Sequence, residues 1–226
     1  MQLCITGGGR RVLAKLFEPA DELLPGSSSP KDTLIELKSK GKTEAREQIE
    51  NLFNDKETSD MKIECGGEVF NCHRAILLAR SDVFRAMFQA KMQETISRKV
   101  PITDISSDVI KGLLQYIYTG ATDENILKEK SGELLYAAEK YQMTSLKKIC
   151  ELQLCLTLEV GNSVESLVMG DMFRAFRLRR MALRMVARNL FPLLFRTEEY
   201  RYLNKFHPDL TTEVCLAMLE EEDDDI

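Results

Sequence analysis

A chain of 226 residues, 44% hydrophobic and 30% charged, has enough apolar side chains for one good core or two small ones and too many for a wholly disordered polymer. Its formal net charge of −5 excludes nucleic-acid binding over the whole surface, because neutralising phosphates takes a basic face, and leaves only a local basic helix for such a role. No apolar run approaches the roughly 20 residues that span a bilayer. The N-terminus lacks the basic start and apolar core of a secretion signal, so the expected compartment is the nucleus, the cytoplasm or both.

The first 55 residues are irregular in texture, with a triple glycine at Gly7 to Gly9, a turn-rich Pro25-Gly26-Ser27-Ser28-Ser29-Pro30 and mixed charges from Lys38 to Glu50. Within them Asp32-Thr33-Leu34-Ile35-Glu36-Leu37 predicts one strand, and Glu44 to Phe53 a short helix or linker; neither makes a core alone. At Met61 the pattern changes. Met61, Ile63 and Cys65 alternate with Lys62 and Glu64, Gly66-Gly67 intervenes, and Glu68 to Cys72 follows, which predicts a β-hairpin. His73 to Arg80 then reads as a short helix, and Ser81 caps another that carries Val83, Phe84, Met87 and Phe88. Arg98 to Thr103 alternates again, with Val100 and Ile102 inward and Pro101 confining it to an edge.

Ser106 or Ser107 caps the next helix, where Val109, Ile110, Leu113, Leu114 and Ile117 fall at helical spacing before Gly120 stops it. Two more helices follow, one ending with Leu134, Leu135, Ala138 and Tyr141, the other carrying Leu146, Ile149, Cys150 and Leu154. Three short strands flanked by a cluster of helices predict a compact α+β domain. Beyond Leu158 every apolar pattern is helical, first through Val164, Leu167, Val168 and Met172, then through Leu178, Met181, Ala182, Met185 and Val186, then from Val214 to Leu219. The end, Glu220 to Asp225, reads as a solvated acidic tail without structure.

The run from Asp60-Met61-Lys62-Ile63 through Phe70-Asn71-Cys72-His73-Arg74-Ala75-Ile76-Leu77 to Val83-Phe84-Arg85-Ala86-Met87-Phe88 resembles the opening of a BTB/POZ domain. That family puts a hairpin, a helix starting at a histidine and a V-F-x-x-M-F helix in this order. The likeness continues through Leu114-Gln115-Tyr116-Ile117-Tyr118-Thr119-Gly120, Leu134-Leu135-Tyr136-Ala137-Ala138-Glu139-Lys140-Tyr141 and Leu146-Lys147-Lys148-Ile149-Cys150. Within the family the chain is most similar, over about residues 58 to 218, to the MATH-BTB group typified by speckle-type POZ protein. Members of that group recruit substrates to a ubiquitin ligase built on cullin 3.

The helices after Leu158, with Phe206-His207-Pro208-Asp209-Leu210, resemble the truncated BACK region of that group, whose first helix pair extends the cullin-binding surface. A complete MATH sandwich exceeds 55 residues, yet Leu23-Leu24-Pro25 followed by Asp32 to Leu37 resembles the last turn and strand of one. The resemblance thus implies an irregular segment 1–57 that is a MATH remnant plus linker, a BTB/POZ domain at 58–157, a BACK-like extension at 158–219 and an acidic tail at 220–226. It also implies a dimeric, non-catalytic adaptor linking substrates or a full-length relative to cullin 3, pairing with itself or with another BTB protein. The alternative is a structural or transcription-associated BTB dimer with no ligase role, since fold does not fix function.

Met92-Gln93-Glu94 matches the hydrophobic-x-Glu motif with which members of the family contact cullin. An exposed methionine fills an apolar pocket on a partner helix while the carboxylate supplies a directed hydrogen bond at the rim. The plainer reading packs Met92 on the preceding helix and leaves Glu94 solvated. Tyr141 adds an aromatic to the same patch or belongs to the core.

The residues carry no enzyme signature. His73 adjoins Cys72, but neighbouring residues point apart and no third group orients them, so a buried structural histidine is expected. Two histidines, His73 and His207, and no paired cysteines give no zinc site. Thr6-Gly7-Gly8-Gly9-Arg10 lacks the lysine and hydroxyl of a P-loop. No metal or cofactor is expected, and Cys4, Cys65, Cys72, Cys150, Cys155 and Cys215 read as reduced, mostly buried thiols. The stretch Arg174 to Met185 is a basic amphipathic helix of the sort that meets nucleic acid, calmodulin or an acidic membrane; the favoured reading is the wet face of a packed helix, and a local acidic partner such as the chain's own tail is a further one.

Overall fold

The computed structural model describes residues 30–90, 98–189 and 198–223. By its internal contacts the chain divides into a unit from Met1 to Ala45 and a unit from Arg46 to Ile226. In the first, the described residues belong to helix α1, Pro30–Glu50. The strand expected at Asp32 to Leu37 is therefore helical. Leu, Glu and Lys are good helix formers, Pro30 has its fixed φ in the first helical position, and Lys40 and Glu44 stand one turn apart, whereas a lone strand has no ladder partner.

In the second unit, β1 (Met61–Cys65) and β2 (Glu68–Cys72) pair antiparallel with Ile63 opposite Phe70. Gly66 and Gly67 turn the hairpin with φ of 57° and 83°, the left-handed pair that a two-residue turn needs to match strand twist. The alternation predicted for β1 is real, since Met61, Ile63 and Cys65 are all buried. β3 (Lys99–Ile102) joins β1 in parallel, giving the order β2-β1-β3 with Pro101 on an edge strand and Val100 and Ile102 in the core.

The hairpin feeds α2 (Arg74–Arg80) and α3 (Asp82–Gln89), with Ser81 between them accepting the Phe84 N–H at 3.4 Å. After β3 come α4 (Ser107–Thr119), α5 (Glu124–Glu129), α6 (Ser131–Lys140) and α7 (Thr144–Leu156). Gly120, at φ 73°, ends α4. Ser106 occupies the N-cap of α4, but its hydroxyl donates to Glu133 at 2.8 Å instead of capping the helix, and the Ser107 hydroxyl donates to Glu68. Helix α5 carries too few apolar residues to stand out in the sequence; Asp123 caps it by accepting from Asn125 and Ile126.

A 3-10 turn (Val160–Asn162) leads to α8 (Ser163–Met172), α9 (Phe176–Asn189), α10 (Glu198–Phe206) and α11 (Pro208–Asp223). Helix α11 runs through Glu220 to Asp223, so the first part of the acidic stretch is helical, not structureless. One core gathers the inward faces of the sheet and α2 to α7, with Val109, Ile110, Leu113 and Leu114 of α4 fully buried. A second gathers Leu167 of α8, Ala182 and Val186 of α9, Leu203 and Val214. Helix α9 serves both, because Leu178 and the preceding Ala175 enter the first core. Each fully buried leucine contributes roughly 1.5–3 kcal/mol, so the extension is secured by packing as well as by the chain.

Candidate functional site

The segment Met92-Gln93-Glu94 lies outside the described residues, but both of its flanks are described. On one side α3 buries Phe84 and Phe88, whose rings stack 6.0 Å apart. On the other, the Lys62 N–H donates to the Arg98 carbonyl at 2.9 Å and ties the start of β3 to the sheet.

Tyr141 is placed in the core, not on the surface. Its ring is 2% exposed and stacks on Phe84 at 4.7 Å, and burial pushes its phenol well above the usual range. The Ser81 hydroxyl donates to the Tyr141 carbonyl at 2.8 Å, so one serine caps α3 and locks it to the end of α6. Tyr141 therefore positions α3 and offers no exposed aromatic to a partner. Five residues earlier on α6, Tyr136 is half-buried, and its hydroxyl donates to Asp104 at 2.6 Å while Lys140 donates to the same carboxylate at 2.7 Å. These two hydrogen bonds hold the Asp104 carboxyl below its usual range. Tyr136 and Lys140 are one turn apart on α6, a spacing visible in the sequence, but their acceptor is 32 residues away from Tyr136 and gave no signal.

His73 is half-buried and makes no pair with Cys72. The His73 backbone N–H donates to the Tyr118 hydroxyl at 2.8 Å, which leaves the phenolic proton for Nδ1 at 3.0 Å. Nε2–H then faces the Thr58 hydroxyl at 2.8 Å, and Thr58 donates to Asp55. The imidazole is thus a structural link from the 54–59 turn to α4. Burial pushes the Cys72 thiol up to about 12, so it holds no thiolate at neutral pH. Among the described residues no group of three His, Cys, Asp or Glu side chains is arranged to hold a metal ion, and no helix is long and apolar enough to cross a membrane.

Where the two cores meet, a cleft of about 270 Å³ opens between the α5–α6 junction, α7 and α8, lined by Lys130, Glu133, Leu154 and Glu165 among others.

Residues 49–158 match the family described as BTB/POZ domain. The chain is similar to TD and POZ domain-containing protein 5 of Mus musculus, at 29% identity over 192 residues, which covers 85% of this chain and 53% of that protein; the chain spans about half the length of this curated relative. Among solved structures it is similar to the BTB domain of zebrafish PATZ1 (24% identity, TM-score 0.42, covering 51% of this chain and 94% of that one). It is also similar to the BTB domain of human gigaxonin (22% identity, TM-score 0.35, covering 59% and 96%). The three-stranded sheet and flanking helices agree with the match of residues 49–158 to that family, so this part of the chain has the BTB fold, followed here by a helical extension.

Proposed function

We propose that this chain is a dimeric adaptor of the MATH-BTB kind, working in the nucleus or cytoplasm, that links substrates or a full-length relative to a cullin 3 ubiquitin ligase. Met92, Gln93 and Glu94 make the contact, Met92 filling an apolar pocket and Glu94 bonding at its rim. The adaptor contributes no catalytic group; it raises the local concentration of bound protein beside a ubiquitin-charged enzyme. The observation that supports this most is the buried Phe84–Tyr141 stack with the shared Ser81 hydrogen bonds, which fixes α3 as a rigid base just before the motif. The helical extension and the cleft beneath it widen the available contact surface.

Calorimetric titration of the chain with the N-terminal domain of cullin 3 tests the reading. Sub-micromolar binding that Met92→Ala abolishes, with the thermal midpoint unchanged, is expected. Absence of binding by the intact chain would replace the adaptor with a BTB dimer that has no ligase role.

A further inference from the structure

We infer that the exposed face formed by helices α7 and α9 is a docking surface for an acidic amphipathic segment of another protein. Helix α9 buries Leu178, Ala182 and Val186 on one side. Arg177, Arg180, Arg184 and Arg188 are exposed, at spacings of three, four and four residues. At 100° per residue these four fall within an arc of about 80° and extend about 16 Å along the axis, on the side opposite the buried stripe.

Arg179 shows what a structural arginine looks like in this helix. It donates to Asp171 at 2.8 Å and to Glu213 at 2.6 Å, and so uses the acids that the fold supplies. Arg177, Arg180 and Arg184 form no ion pair with a described residue. Exposed apolar side chains accompany the stripe, with Phe176 and Met181 flanking it on either side of α9 and Leu152 and Leu156 on α7. Phe176 is 73% and Leu156 81% exposed, and Leu152 and Met181 are exposed as well. Lys148, Leu152 and Leu156 stand four residues apart on α7, on one face. The two helices are pinned together where the Glu151 carboxylate accepts the N–H groups of Arg177 at 2.6 Å and Leu178 at 3.2 Å. That carboxylate therefore caps α9 and does not neutralise the stripe.

Solubility needs neither the apolar side chains nor this density of charge. Together they fit a helix that sets carboxylates on the stripe and leucine-like anchors on the apolar side chains that flank it. The net charge selects this partner over a membrane or nucleic acid. A chain at −5 repels an extended anionic surface, whereas a short acidic segment feels the stripe alone within a screening length of about 8 Å. The chain's own α11 packs on α9 from the buried side, with Glu213 on Arg179.

The test uses the full chain and a fluorescein-labelled helical peptide with glutamates at i, i+3, i+7 and i+11 and leucines on the adjoining stripe, followed by anisotropy at about 0.15 M ionic strength. The scrambled peptide of equal composition and vesicles of phosphatidylserine in phosphatidylcholine are run beside it. The patterned peptide binds at least ten-fold more tightly than the scrambled one. Arg180→Glu with Arg184→Glu, and separately Leu156→Ser, each weaken it at least ten-fold with unchanged thermal midpoints; if the charge reversal does not fold, Arg180→Gln with Arg184→Gln takes its place. Equal affinity for the two peptides, indifference to the substitutions, or binding to vesicles but not to the peptide would each overturn the inference.

Discussion

Replacing Gly170 by alanine measures how closely α8 and α9 approach. A Cβ built at Gly170 would lie 2.6 Å from the Arg179 nitrogen and 2.7 Å from its Cα. Both are backbone atoms, so no rotamer change relieves the contact and one helix must shift by about 1 Å to restore van der Waals separation near 3.5–4 Å. Such overpacking costs about 1–3 kcal/mol, and the gain in helix propensity on replacing glycine offsets about 1 kcal/mol of it. A net loss of up to about 2 kcal/mol is expected, read as a lower urea midpoint at constant slope and a thermal midpoint lower by up to roughly 8 °C for a chain of this size. Gly132→Ala is the comparison, because there the Cβ meets only the Met169 side chain, its sulfur at 2.9 Å and Cε at 3.3 Å, the movable end of a flexible side chain, and a change near zero is expected. Equal midpoints for the two variants, or a stabilising Gly170→Ala, would refute the close-approach argument.

Tyr118→Phe removes the hydroxyl that accepts the His73 N–H and faces Nδ1, and a loss of about 1–3 kcal/mol in urea unfolding is expected from the stranded donor. An undiminished midpoint would mean that water replaces the hydroxyl. Asp104 has its folded pKa below the unfolded value through Lys140 and Tyr136, so its pairing stabilises above the unfolded pKa and is lost as pH falls through the folded one. The stability gap between the wild type and Asp104→Asn is therefore widest above about pH 5 and closes as the solution is brought below about pH 4; a gap independent of pH would contradict the ion-pair account. The pair is partly exposed, so the gap is small and shrinks with added salt.

Much of the BTB/POZ portion was legible from local pattern. The hairpin needs only alternation and two glycines, α4 only its spacing and a stop at Gly120, and α3 only Ser81 before Phe84. Helices α5 and α10 were not read, and α1 only in its part from Glu44 to Glu50, which falls in the span expected as a short helix or linker. The span Asp32 to Leu37 carries a short alternation that a strand and a polar helix share, and α1 is what forms. Helix α5 carries too few apolar residues to show a period, and α10 is amphipathic but only 9 residues long. Of the candidate residues, Met92, Gln93 and Glu94 were readable as a motif, whereas the two readings of Tyr141 could be separated only by its burial.

The sequence by itself determined the period of each strand and of the strongly patterned helices, the order in which they follow and the acidic balance of the whole, because these depend on residues within a few positions of one another or on a sum. Tertiary structure alone decided which neighbours those faces meet. It put Tyr141 against Phe84, bound Asp104 to Tyr136 and Lys140, brought the backbone at Gly170 onto Arg179, and separated that paired arginine from the exposed stripe beside it. The reason is that a helical or strand period specifies that a face is buried or wet, while the partner of that face is set by the packing of segments many residues apart.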